Sequence, residues 1–238
     1  MRKHISGNRC ERGLKDESAK KEERNLFLYK RKRVFSYPPL PPEDAPHGTI
    51  GIPRVLNLYG NFPFLATFFR KLGFHVVLSP LSDRSIYESG MASIPSESAC
   101  YPAKLAHGHL QWLIDQGVRT IFYPSIFYER KESATAQDHY NCPLVVGFPD
   151  SLKNSVEALD QSGLCYLHPF FSFTNRKLIQ NELADFCRKT WGIPRRQTKA
   201  AAAAAWEEQL RAKNDVRAAG EELCWPDGLI TSTRNSIM

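Results

Sequence analysis

Six cysteines carry the most versatile chemistry in this 238-residue sequence, and the position of Cys100 singles it out. It stands where a stretch of small residues, 94–99, meets an apolar pattern of helical period that runs to Gln116. Unpaired N–H groups at a helix start favour the thiolate form of cysteine, which binds metal or attacks as a nucleophile. Helical spacing also aligns Cys100 with Ala103, Ala106, Leu110, Leu113 and Gly117, so it could equally cap a packed face. The residues alone leave both interpretations open.

Ser96, Glu97 and Ser98 precede this cysteine and could cap the helix, while Glu97 and Ser98 could instead contact a substrate or cluster. Lys104 and His107 follow Cys100 at i+4 and i+7, on its side of the helix. Such side chains could donate to a thiolate or sulfide, or could simply be solvated or hydrogen-bonded locally.

Three segments, in this order, resemble one protein family. They are GIPRVLNLY at 51–59, the run IPSESACYPAKLAHGH at 94–109, and YNCP at 140–143. They are similar to the activators of 2-hydroxyacyl-CoA dehydratases, in the part of the large fused activators that itself resembles an iron–sulfur dehydratase subunit. The resemblance covers about residues 5–223.

This resemblance implies that Cys100 and Cys142 occupy positions suited to ligating a [4Fe–4S] cluster, with Lys104 and His107 beside it. Both cysteines also follow expected strand ends, where two thiolates would form half of a cluster site. The related subunits complete the site with a cysteine from a later domain. No residue here matches that position, and Cys165 is the nearest substitute.

The family also implies partners. In the fused activators an ATPase domain of the acetate/sugar-kinase type comes first, and residues 5–13 resemble the segment that follows it. No GxxxxGK[ST] or strand-linked GxGxxG motif is found in this sequence. We therefore expect a fragment or split-gene product that is not catalytic on its own. Its expected partners are an ATPase activator domain or subunit and a dehydratase-like subunit or second α/β domain.

Two other functions remain open. One is a truncated remnant that folds without a cofactor. The other is nucleic-acid binding through residues 1–36, which hold 12 Lys/Arg against 5 Asp/Glu, whereas residues 37–238 hold 20 of each. Sparse aromatic residues in that basic arm favour a solvated linker over a nucleic-acid site.

Composition indicates a globular chain, with 42% hydrophobic and 24% charged residues. No apolar run approaches the roughly 20 residues that span a bilayer, and the start lacks the apolar core of a secretory signal. We therefore expect no membrane partner and a cytoplasmic location. The absence of a CxxC pair argues against a disulfide framework or zinc ribbon.

Short apolar runs alternate with helical patterns, which predicts an α/β, Rossmann-like fold: a mostly parallel sheet with helices on both faces, plus a C-terminal helical extension. The expected strands are 49–57, 74–79, 118–124, 144–147 and 164–167, and the expected helices are 62–72, 82–89, 100–116, 149–161, 175–191 and 196–223, with a short helix within 16–33. A long polar loop, 125–142, should form part of a site. Cys165 and Cys187, within elements, are expected to be buried.

The same pattern suggests four parts. They are a basic arm at 1–48, an α/β dehydratase-subunit-like domain at 49–168, a helical extension at 169–223, and an aberrant or disordered tail at 224–238.

Overall fold

The structure is a computed structural model that describes residues 25–95, 99–133, 135, 137–160 and 163–224. The expectations for Ser96, Glu97 and Ser98, and for the tail beyond Cys224, fall outside those residues. The elements are, in chain order, α1 (Leu26–Phe35), β1 (Thr49–Ile52), α2 (Leu58–Leu72), β2 (His75–Leu78), α3 (Arg84–Gly90), α4 (Tyr101–Asp115), β3 (Thr120–Phe122), β4 (Ser125–Ile126), α5 (Pro143–Ser155), β5 (Cys165–Leu167), β6 (Phe170–Phe171), α6 (Arg176–Trp191) and α7 (Arg195–Cys224).

Four strands form one parallel sheet in the order β2-β1-β3-β5, which confirms the predicted fold class. β1 pairs with β2 from Thr49 opposite His75 to Ile52 opposite Leu78, and Gly51 of β1 lies opposite Ile121 of β3. β1 and β3 contribute fully buried isoleucines to the core. Burial on both faces is the usual state of a parallel sheet and explains the apolar runs seen in the sequence.

β4 and β6 form a second parallel pair that continues β3 and β5. Pro124 and Pro169 interrupt the longer strands because proline has no N–H to donate. The ladder continues across the breaks, since Tyr123 N donates to the Leu167 carbonyl at 2.8 Å and Ser125 N to the Pro169 carbonyl at 2.9 Å. This side of the sheet therefore extends further at its carboxyl edge than β1 and β2 do.

The strand order makes the chain leave β1 and β3 in opposite directions. α2 leads from β1 outward to β2, whereas α4 returns across the sheet to β3 and α5 leads on to β5. Right-handed crossovers then put α2 on one face and α4 with α5 on the other. A crevice opens between the carboxyl ends of β1 and β3, the place where open α/β sheets bind ligands.

α6 and α7 pack on the face that carries α2, and their side chains belong to the same hydrophobic core as the sheet. Ala202 and Ala205 of the alanine run are fully buried, and Trp206 nearly so. Small side chains allow close approach, so a helix with few large apolar residues is held by neighbouring helices. No helix in the described part of the chain combines the length and apolar character needed to cross a bilayer.

A buried glutamine joins α7 to α2. The Gln209 amide Nε2 donates to the Gly60 carbonyl at 2.6 Å, and its Oε1 accepts from Phe64 N at 3.0 Å. These two backbone groups, four residues apart, are the pair that a regular helix joins directly. Pro63 lies between them and has no N–H of its own. Gln209 therefore satisfies backbone groups beside the proline from a position 145 residues away.

The helix α1 is attached to α7 by an ionic network. Arg33 donates to Glu208 at 2.8 Å and to Asp215 at 2.7 Å, and Tyr37 donates to Glu208 at 2.7 Å. Partial burial raises the pKa of Glu208, but its hydrogen bonds with Tyr37, Arg33 and Arg211 outweigh this effect and hold the pKa below its usual value. Val34 of α1 is buried against the core. At least one cation of the basic arm is thus neutralised inside the protein.

Two local predictions were wrong. Residues 144–147, expected to form a strand, lie in the first turns of α5, which begins at Pro143. Proline at the first helical position loses no bond, so an apolar run after it can be helical as readily as extended. Cys165, expected in the core, is exposed. It is the first residue of β5, the outermost strand of the sheet. The fully buried Cys187 is as predicted.

We predict that Gln209→Leu lowers the free energy of unfolding by about 2–4 kcal/mol, because it leaves the Phe64 N–H buried without a partner and removes the hydrogen bond to the Gly60 carbonyl. Urea unfolding at neutral pH measures this change. Glu207→Gln is the matched control. It removes only the exposed ion pair with Arg176 and should cost less than about 1 kcal/mol. Equal stability of the two variants would contradict a structural role for the Gln209 amide.

Candidate functional site

Cys100 and Cys142 are the N-cap residues of α4 and α5. Both have extended backbone conformations, with φ/ψ of −64°/152° and −52°/135°, and neither side chain makes a capping hydrogen bond. A proline follows within two residues in each case and fits the first helical turn. Both thiols are exposed. Each therefore presents an exposed thiol at a helix N-terminus.

The packing of α4 on α5 brings these N-caps to one edge of the sheet. The His107 ring of α4 contacts the Phe148 ring of α5 edge-on, with centroids 5.7 Å apart. Cys100 lies seven residues before His107, and Cys142 six residues before Phe148. At 1.5 Å per residue each cysteine stands about 9–11 Å beyond the contact. Both helices run from the carboxyl edge, so Cys100 and Cys142 lie at the same edge of the sheet.

The other two cysteines in the described part of the chain, Cys165 and Cys187, lie away from this edge. Cys165 begins β5 and lies at the amino end of that strand, opposite to the edge where α4 and α5 start. Cys187 is buried in α6, and burial raises the pKa of its thiol to about 12, so it stays protonated. Among the described residues no three His, Cys, Asp or Glu side chains come together as a metal site. The described part of the chain thus offers two thiols at this edge.

The two residues predicted to assist Cys100 differ in how freely their side chains can move. Lys104 is partly exposed one turn into α4. His107 is buried, and its Nδ1 shares a hydrogen bond of 2.8 Å with Ser93 Oγ. Lys104 can therefore reorient towards the helix N-terminus, whereas the His107 ring is fixed between Ser93 and Phe148.

A second buried histidine, His109, lies two residues beyond His107 on α4. His109 Nδ1 is 2.9 Å from Ser79 Oγ, and its Nε2 is 2.9 Å from Ser82 Oγ. Arg54 N donates to the same Ser79 hydroxyl at 2.7 Å, which ties the end of β1 to the network. The sequence shows two serines, Ser79 and Ser82, just after β2, but only the fold shows that they face His109 of α4.

Two glycines allow α3 to cross α4 at this level. A Cβ on Gly108 would lie 1.6 Å from the Ile86 carbonyl oxygen, and a Cβ on Gly90 would lie 2.2 Å from Gly108 N. Any side chain at either position would force the helices apart. The close crossing keeps Ser82 and Ser93, at the two ends of α3, against the histidines of α4.

Unsatisfied buried polar groups concentrate at the crevice between β1 and β3. In the described residues, the buried side-chain atoms without a hydrogen-bond partner are Arg54 Nε, both amide atoms of Asn57, and the Tyr123 hydroxyl. Arg54 and Asn57 lie in the segment between β1 and α2, and Tyr123 follows β3 directly. Leu56 there has a φ of +46°, a left-handed conformation that is uncommon for a branched side chain. Such costs are typical of functional sites.

Asn57 also lines a cavity of about 660 Å³. Its walls come from α1, the start of α2, the loop after β4, and α7. Within it Glu129 Oε1 accepts hydrogen bonds from Asn61 Nδ2 at 2.8 Å and from Asn141 Nδ2 at 3.1 Å. The loop predicted at 125–142 follows β3, as expected, and its part in a site stays a prediction. It contains β4 and an antiparallel bridge between Tyr128 and Tyr140, and its carboxylate was not identified from the sequence.

Comparison with known proteins adds one finding. The family model described as the CoA enzyme activase uncharacterised domain matches residues 49–234. No curated protein and no solved structure matches the chain.

We predict that acid weakens this fold partly through its buried histidines. Burial lowers the pKa of His107 and His109 from 6.5 to about 4, and the charge of Arg54 contributes at His109. Below about pH 6.5 these histidines bind protons in the unfolded chain but stay neutral in the folded protein until about pH 4. The free energy of unfolding therefore falls as the pH drops through this range. Each histidine should contribute a loss of about 2 kcal/mol between pH 7.5 and 5.

Urea unfolding at several pH values measures this slope. His109→Gln keeps an amide between Ser79 and Ser82 but cannot titrate, so the loss of stability in this window should be smaller by about 2 kcal/mol than in the parent. An identical pH dependence of the two proteins would contradict the assignment.

Proposed function

The chain belongs to the CoA enzyme activase domain family, and we propose that it presents two thiolate ligands of a [4Fe–4S] cluster, Cys100 and Cys142, to a partner protein. The observation that carries this proposal is the pair of exposed cysteines that begin two adjacent helices at one edge of the sheet. Soft thiolates are the usual protein ligands of such clusters, which supply low-potential one-electron transfer when bound.

The donor set fits half of a cluster. Two helix N-termini point their free N–H groups towards the same edge, which favours the negative charge of thiolates and of a sulfide-bearing group. The described residues add no third acidic, thiol or imidazole ligand there. The remaining ligands are expected from a second α/β domain or a dehydratase-like subunit. An ATPase activator domain or subunit would supply the energy for electron injection.

Two further residues have proposed roles at this edge. Lys104 can neutralise part of the negative charge of the thiolates or donate to sulfide, because it is partly exposed and near Cys100. His107 acts by position, since its ring is buried against Phe148 and so sets the spacing of α4 and α5. Neither side chain is required as an iron ligand.

Exposed aromatic side chains surround the cysteines. Tyr101 and Tyr140 are 56% and 55% exposed next to Cys100 and Cys142, and Phe170 of β6 is 62% exposed at the same end of the sheet. Aromatic residues are enriched where proteins associate, because they bury a large area at low entropic cost. A partner that covers this rim would also exclude solvent from the cluster.

We predict that anaerobic reconstitution of the full chain with iron and sulfide gives substoichiometric iron and an absorption band near roughly 400 nm. Cys100→Ser and Cys142→Ser should each reduce iron per chain and absorbance at least about twofold, since each removes one of two thiolates. Cys165→Ser is the matched control, an exposed thiol at the opposite end of the sheet, and should retain both signals.

Iron content that is unchanged in all three variants would refute the ligand assignment. A chain that folds but takes up no iron would favour a remnant that works without a cofactor. Equal loss in Cys165→Ser would show that uptake reflects exposed thiols in general.

A further inference from the structure

The cavity between β1 and β3 lies on the α2 side of the sheet and is not explained by the cysteine pair, whose helices α4 and α5 cover the other side. Its volume of about 660 Å³ is in the range of small-molecule sites. It stands at the topological switch point, where open α/β sheets bind ligands.

Glu129 provides an oriented acceptor. Asn61 and Asn141 both donate to Oε1, which fixes the carboxylate from two different elements. Among the described residues none hydrogen-bonds the second oxygen, Oε2, and that atom is not one of the buried unpartnered atoms, so it faces open space. A fixed carboxylate with one free oxygen suits a pair of hydroxyl groups on a ligand.

The cationic side chains that line the cavity differ in whether they have an ion-pair partner. Lys213 is engaged by Glu132 at 2.8 Å. Lys30 and Arg130 also line the cavity, and their charges help to lower the pKa of Glu132, but neither makes an ion pair or hydrogen bond within the described part of the chain. Asp138 is an exposed carboxylate at the same cavity. Among the described residues Lys30 and Arg130 thus remain without an ion-pair partner, whereas the charge of Glu132 is balanced by Lys213. Two such cations favour a ligand with a concentrated negative charge, such as a phosphate.

An aromatic ring completes the set. Tyr140 lines the cavity, is 55% exposed, and stacks on Phe127 with centroids 5.9 Å apart and planes 17° apart. A ring supported from behind and open in front is suited to stack on a planar base.

We propose that this cavity binds a nucleoside phosphate. Glu129 accepts hydrogen bonds from the vicinal ribose hydroxyls, Lys30 and Arg130 contact the phosphate, and Tyr140 stacks on the base. Lys30 belongs to α1, outside the residues matched by the family model, and the Arg33 network attaches α1 to α7. Ligand binding therefore depends on a segment that precedes the family domain.

Calorimetric titration of the full chain, without iron, with ADP tests this inference. ADP should bind saturably, and 2′,3′-dideoxy-ADP and inorganic phosphate should each bind at least about tenfold more weakly, because each lacks groups that the site recognises. Glu129→Gln should weaken ADP binding about tenfold, since a neutral amide replaces the carboxylate within the same hydrogen bonds. The double variant Lys30→Ala/Arg130→Ala should reduce both the affinity and its salt dependence.

Tyr140→Ala and Tyr140→Phe form a matched pair, of which only the alanine variant should lose affinity, because stacking needs the ring and not the hydroxyl. Arg84→Ala, in an exposed ion pair on α3, should bind as the parent does. Unfolding midpoints of the free variants separate loss of binding from loss of fold. No binding of ADP at millimolar concentration, binding of phosphate as tight as that of ADP, or indifference to Glu129→Gln would each overturn the proposal.

Discussion

The parallel pairing of β1 with β3 is the constraint on which the rest of this structure depends. Gly51 lies opposite Ile121, and from these two strands the chain departs in opposite directions, to β2 on one side and to β5 on the other. Right-handed crossovers then separate α2, α6 and α7 from α4 and α5. The same event creates a crevice at the carboxyl edge and sends α4 and α5 back from that edge. Both candidate sites follow from it: the cavity on one side and the cysteine N-caps on the other.

Stability near this edge comes from specific polar contacts as much as from apolar burial. The Gln209 amide bonds backbone groups of α2 on both sides of Pro63, and Arg33 joins α1 to two carboxylates of α7. His109 is held between two serines in the opposite layer. Buried polar groups specify one arrangement because any displacement leaves them unpaired. The edge therefore has a defined geometry despite its irregular backbone.

Several energetic costs coincide at the crevice. Arg54, Asn57 and Tyr123 carry buried polar atoms without partners in the described chain, and Leu56 adopts a left-handed conformation. Each feature costs on the order of 1–3 kcal/mol, so their concentration beside β1 and β3 is informative. The remaining core, with fully buried phenylalanines in α2, offsets such costs. A site that recognises a ligand is one physical reason for retaining them.

Much of the architecture could be predicted from local pattern. Apolar runs indicated β1, β2, β3 and β5, and periodic segments indicated α2, α4, α6 and α7, because period and capping are properties of neighbouring residues. The sequence predicted the helix that starts next to Cys100. It did not predict the helix that starts next to Cys142, because residues 144–147 were expected to form a strand. A four-residue apolar run does not distinguish strand from helix until the sheet has a place for it.

What only the tertiary structure decided involves residues far apart in the chain. The carboxylate of Glu129 is oriented by Asn61 from 68 residues away, and Gln209 reaches α2 across 145. Cys165 is exposed because β5 is the outermost strand, a fact of strand order and not of its own neighbours. By itself the sequence determined most of the strands and helices, and it placed Cys100 at the start of a helix and Cys142 at the end of a loop. Only packing determined which polar groups meet, because contacts across such separations depend on strand order and crossover direction, which no local pattern encodes.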